Sequence, residues 1–119
     1  MSPFRLLSVG AVVTVMAVAG PAWAHARLVS SNPARDATVN SPSTIRLTFS
    51  ERVVPAFSSF EVANASGAEQ VVRTAVSEDG LSITGTPIRP LAPGAYTVTW
   101  TIASSDGHRM TGSYGFRVR

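Results

Sequence analysis

The stretch "AYTVTWTIAS", residues 95–104, decides the fold class. Tyr96, Val98, Trp100 and Ile102 fall on one parity, and Thr97, Thr99 and Thr101 on the other. Side chains of an extended strand alternate between its two faces, so this pattern describes a half-buried β-strand rather than a helix. Working outward, Met110 to Val118 alternates more weakly, with Tyr114, Phe116 and Val118 on one face. Thr44 to Phe49 places Ile45, Leu47 and Phe49 on one side, and Phe57 to Ala63 does the same with Phe60 and Val62. Val71 to Ser77 and Leu81 to Thr86 flank a Glu78-Asp79-Gly80 turn signal and predict a hairpin. Pro87, Pro90, Pro93 and Gly94 mark a loop, and a short strand is expected near Arg27 to Ser31. No run of ten or more residues has a 3.6-residue period with helix caps. Seven short strands predict an all-β, antiparallel sandwich of immunoglobulin-like type, with a small Greek-key barrel as the alternative.

The beginning of the chain has a different character. Arg5 precedes an uncharged apolar run, Leu6 to Gly20; Pro21 closes it, and Ala22-Trp23-Ala24 supplies small residues at a cleavage position. This is the secretory signal pattern, and the run is short for a bilayer span, which takes roughly 20 residues. Residues 1–24 are expected to be removed on export, leaving His25 to Arg119 as one domain that does not span a membrane. That segment has no cysteine, so packing must stabilise it, and thiolate metal sites, disulfide redox chemistry and a cysteine nucleophile are excluded. Its nine arginines and seven acidic residues are scattered, without the basic run and interleaved aromatics of a nucleic-acid surface.

The chemistry concentrates on two histidines, His25 and His108. After cleavage His25 carries a free α-amine beside its imidazole. His108 comes directly after Asp106-Gly107, a turn dipeptide between two alternating runs. An ordinary exposed histidine at a hairpin turn would explain His108 taken alone. If His25 folds back to that end of the sandwich, its amine, the two imidazoles and the Asp106 carboxylate form a three-nitrogen, one-oxygen donor set. Such a set suits Cu(II), which favours tetragonal N,O coordination; zinc is a lesser alternative. The terminal amine titrates at roughly 7.7–8.0 and an imidazole near 6.5, so a divalent metal can displace both protons around neutrality. Glu51 shares the parity of Ile45, Leu47 and Phe49, so it is expected to continue the inward face as a weak ligand or as a partner of a ligating histidine's N–H. A solvated glutamate at a strand end is the other reading of Glu51.

The chain resembles the CopC family of periplasmic copper-resistance proteins. Three segments in register carry the likeness: "HARLVSSNPARDATV" from His25, "IRLTFSERV" from Ile45, and "YTVTWTIASSDGHRMTGSYGFRV" from Tyr96. The resemblance implies a seven-stranded β-sandwich holding one Cu(II) per chain through His25, Asp106 and His108, with Glu51 near the metal. It also implies a periplasmic, non-enzymatic role in copper resistance, buffering or delivery, alongside an inner-membrane CopD-type partner. A monomer is expected. Some members carry a methionine-rich Cu(I) loop; here only Met110 remains after His25, so no site of that type is expected. Two other functions compete. One is a small copper-dependent oxidase like the lytic polysaccharide monooxygenases, which also use an N-terminal histidine. The other is an interaction module in which the histidines are incidental.

Overall fold

The computed structural model describes residues 26–119, together with Gly10. The expected signal segment and His25 lie outside these residues. Among the described residues nine strands form: β1 (Leu28–Asn32), β2 (Thr38–Val39), β3 (Ile45–Phe49), β4 (Ser59–Asn64), β5 (Glu69–Gln70), β6 (Val72–Val76), β7 (Ser82–Pro87), β8 (Gly94–Ala103) and β9 (Arg109–Val118). They make a four-stranded sheet, β1-β3-β7-β6, and a five-stranded sheet, β2-β9-β8-β4-β5. The protein is therefore a β-sandwich of immunoglobulin-like type, not a closed barrel. Among the described residues the only helical turn is a 3-10 turn, Pro55–Phe57. None of their helices is long and apolar enough to cross a membrane.

All seven expected strands are present. Two corrections apply. β2 and β5 are additional, and at two residues each they are too short to show an alternation. The pairing is also not wholly antiparallel, because β2 runs parallel to β9 through Thr38↔Arg117 and Val39↔Val118.

Parity decides the core. Ile45, Leu47 and Phe49 of β3 and Ile83 of β7 meet Phe60, Val62, Val98, Ile102, Tyr114, Phe116 and Val118 of the facing sheet, all buried. Burying each large apolar side chain contributes roughly 1.5–3 kcal/mol, and without disulfides this is the main source of stability. Trp100, expected in the core, packs against it while remaining partly exposed, its ring 6.4 Å and edge-on to that of Phe49. The indole lies across Gly112, its cross-strand partner; a Cβ there would sit 2.1 Å from the Trp100 ring. The longest ladder, β8 with β9, runs in unbroken register from Gly94↔Val118 to Ala103↔Arg109. Its continuous pairing carries the intervening turn to one end of the sandwich.

Candidate metal centre

The turn between β8 and β9 is Ser104-Ser105-Asp106-Gly107-His108. Gly107 has φ +87°, a left-handed conformation that glycine adopts without a Cβ penalty. Its N–H donates to the Ser104 carbonyl at 2.9 Å, and the Ser104 N–H donates to the His108 carbonyl at 2.9 Å. The Asp106 side chain organises the interior of the turn. Oδ1 accepts the His108 backbone N–H at 3.1 Å and the Ser104 hydroxyl. Oδ2 lies 2.8 Å from Nδ1 of His108. Extended residues two apart can turn to the same side, and here the expected Asp106–His108 pair forms at contact distance.

Both side chains are largely open to solvent, 44% exposed for Asp106 and 54% for His108. The Ser104 hydroxyl, the His108 side chain and the His108 amide together hold the Asp106 carboxyl well below the usual carboxylate range. An ionised oxygen therefore stands beside an imidazole at neutral pH. A carboxylate contacting Nδ1 also fixes the ring orientation, the arrangement commonly found behind a metal-binding histidine.

Three segments converge on this end of the fold. At the start of β1 the Arg27 N–H donates to Ser50 Oγ at 3.0 Å, and the Ser50 N–H returns a bond to the Arg27 carbonyl at 2.9 Å. Ala26, the residue after His25, is fully buried. The chain leaving β3 then runs along the end of β8: Val53 bridges Ser104, and the Val54 N–H donates to the Ala103 carbonyl at 2.8 Å. The described chain thus starts at the same crossover that supports the Asp106–His108 turn.

Glu51 requires a correction. β3 ends at Phe49, the backbone bends at Ser50 and Glu51, and the Glu51 side chain is exposed rather than inward. The backbone bend at Ser50 and Glu51 ends the alternation there, so parity does not extend to Glu51. The described residues bring together two of the expected donors, and no cluster of three or more acidic or histidine side chains occurs among them. Ser104 is a participant that the reading of chemistry from sequence missed. The signal that marks it is a Ser-x-Asp-Gly spelling that occurs twice, at 77–80 and 104–107.

The family model described as CopC domain matches residues 28–119. The chain belongs to the CopC family. Copper resistance protein C of Xanthomonas campestris pv. juglandis is 35% identical over 127 aligned positions, covering 100% of both chains. Its counterpart in Pseudomonas syringae pv. tomato is 40% identical over 111, covering 87% of this chain and 88% of that one. Among solved structures, PcoC, a methionine-rich copper resistance protein from Escherichia coli, superposes with a TM-score of 0.76 at 36% identity, covering 81% of this chain and 100% of that one. CopC from Methylosinus trichosporium gives 0.72 at 32% identity, covering 79% and 93%. Against the methionine-rich PcoC, this CopC-family chain carries one methionine after residue 25, Met110, packed partly buried against the core.

Proposed function

We propose that this CopC-family protein is a copper-binding resistance protein that holds one Cu(II) after export to the periplasm. Residues 1–24 act as the signal and residues 25–119 as the single binding domain. The donors are the α-amine and imidazole of His25, the Asp106 carboxylate and the His108 imidazole, a nitrogen-rich set that Cu(II) prefers. Exposed Glu51, on the crossover between Ser50 and Val53, serves as a weak ligand or as a hydrogen-bond partner of a ligating imidazole. The observation that carries the reading is the preformed Asp106–His108 pair, on a turn joined through Val53 and Ser50 to the first described residues of the chain.

Four donors from protein side chains and the terminus leave little room for oxygen or substrate chemistry. The role is therefore binding, buffering or hand-over rather than turnover, and an inner-membrane CopD-type protein is the partner in that role. The lone Met110 supplies too few soft ligands for a methionine-rich Cu(I) site. The test compares protein that begins at His25 with protein retaining one extra residue before it. The first is expected to bind Cu(II) one-to-one, with a tetragonal, nitrogen-rich EPR signal; the second is expected to bind far more weakly. Equal affinity would remove the amine from the site.

A further inference from the structure

Three buried serines stand out among the described residues: Ser58, Ser82 and Ser104. Two of them serve the strands. Ser58 Oγ accepts the Ala103 N–H at 3.1 Å, and Ser82 Oγ accepts from the Arg46 guanidinium at 3.2 Å. The third reaches outward, its hydroxyl donating to the carboxylate of exposed Asp106. The Ser104 backbone is fully engaged as well. Its N–H binds the His108 carbonyl, its carbonyl accepts the Gly107 N–H, and Val53 pairs with it from the other side. A side chain 4% exposed and anchored in this way is a fixed reference point for a carboxylate that is otherwise in solvent.

We propose that Ser104 is a positioning residue of the copper site: it ties down Oδ1 of Asp106 and so presents Oδ2 as the oxygen for His108 and the metal. The inference rests on the Cu(II) reading above. A carboxylate offers about four lone-pair sites on its two oxygens. Oδ1 already accepts two hydrogen bonds, from the Ser104 hydroxyl and the His108 N–H, whereas Oδ2 is committed to Nδ1. Tilting the carboxylate out of this plane would break the Ser104 bond. The oxygen facing away from Ser104 would therefore be the one left for the metal. Without the hydroxyl, only the His108 N–H holds the inner oxygen, and the carboxylate is freer to tilt.

The test uses protein beginning at His25, with Cu(II) itself as the probe. Affinity is read by chelator competition and geometry by EPR. Ser104→Ala is expected to bind about tenfold more weakly, the low end of what loss of a ligand-orienting contact costs, and to shift the copper hyperfine coupling. Ser104→Thr, which keeps the hydroxyl, should restore both. Ser77→Ala removes the matching bond from the other Ser-x-Asp-Gly turn, where Ser77 Oγ donates to Asp79 Oδ1 at 2.5 Å, and should change neither readout.

A second comparison does not depend on Ser104 variants folding. If Ser104 pins the inner oxygen, Asp106→Asn turns its amide nitrogen to the metal and binds no better than Asp106→Ala. Asn binding clearly more tightly than Ala would overturn the proposal, as would a Ser104→Ala protein with unchanged affinity and spectrum. In either case a His108→Ala protein that has lost copper would leave the Cu(II) reading standing. A His108→Ala protein that binds like wild type would bring down that reading and the role of Ser104 together.

Discussion

Two turns at this end of the sandwich share a spelling, Ser77-Glu78-Asp79-Gly80 and Ser104-Ser105-Asp106-Gly107, and differ in the residue after the glycine, Leu81 in one and His108 in the other. Their local bonding is nearly the same. In each, the serine hydroxyl and the N–H of the residue after glycine donate to Oδ1 of the aspartate, and the glycine N–H donates to the serine carbonyl. In each, the glycine has a positive φ, +73° and +87°. They also flank one segment, since the Val53 N–H donates to the Gly80 carbonyl while Val53 bridges Ser104. The aspartate in both is held below its ordinary range, first by the serine hydroxyl. Asx-type bonding of this sort is turn chemistry that needs no ligand. The second turn becomes a candidate site through the imidazole on Oδ2 and the deep burial of its serine.

The largest expected effect tests that conversion directly. His108→Leu gives the second turn the residue of the first. Cu(II) affinity is expected to fall by about a hundredfold or more by chelator competition, because the loss of a donor exceeds the 10–100-fold typical of its supporting contacts. Melting temperature should stay nearly constant, since His108 is exposed. Retained affinity would mean that the two turns do not differ in function.

Substituting the turn glycines sharpens the comparison in stability. Gly107→Ala meets open space but must hold a left-handed backbone, a cost of about 1–2 kcal/mol by denaturant unfolding. Gly80→Ala carries the same backbone cost and also brings a Cβ within 3.2 Å of Arg52 Nε, so it should be the more destabilising of the two. The reverse order would show that the copper-side turn is the more tightly held.

The smallest effect concerns acid. Both aspartates have folded-state pKa values depressed relative to the unfolded chain, so the stability each adds is complete above the unfolded value, near 3.9, and is lost as pH falls through the folded one. Metal-free protein should therefore melt at progressively lower temperature below about pH 4. Asp106→Asn and Asp79→Asn should each flatten that slope, Asp106→Asn by more because its depression is the larger. Equal slopes in wild type and Asp106→Asn would show that the carboxylate bonds add nothing to folding.

The seven longer strands are legible from parity, which is a local property: a period of two repeats within five to ten residues whatever the partner strand. Asp106 and His108 are legible as a pair because only Gly107 separates them, though they meet across a turn at left-handed Gly107 rather than along an extended face. Glu51 is not legible from parity, because the backbone bends at Ser50 and Glu51; of its two readings the exposed glutamate at a strand end is the one the structure shows. β2 and β5 were missed because two residues cannot show a period.

Residue order alone dictates that the chain folds as a sandwich of short strands, that Asp106-Gly107 turns, and that no cysteine is available as a donor. Each of these depends on residue type and near neighbours. Long-range pairing settles the rest: that β1, the 50–54 crossover and the 104–108 turn meet at one end, that Ser104 is buried beneath Asp106, and that the two like-spelled turns flank the same residue, Val53. Those facts depend on backbone contacts across tens of residues, where a strand's own pattern says which face is inward but not which strand lies beside it.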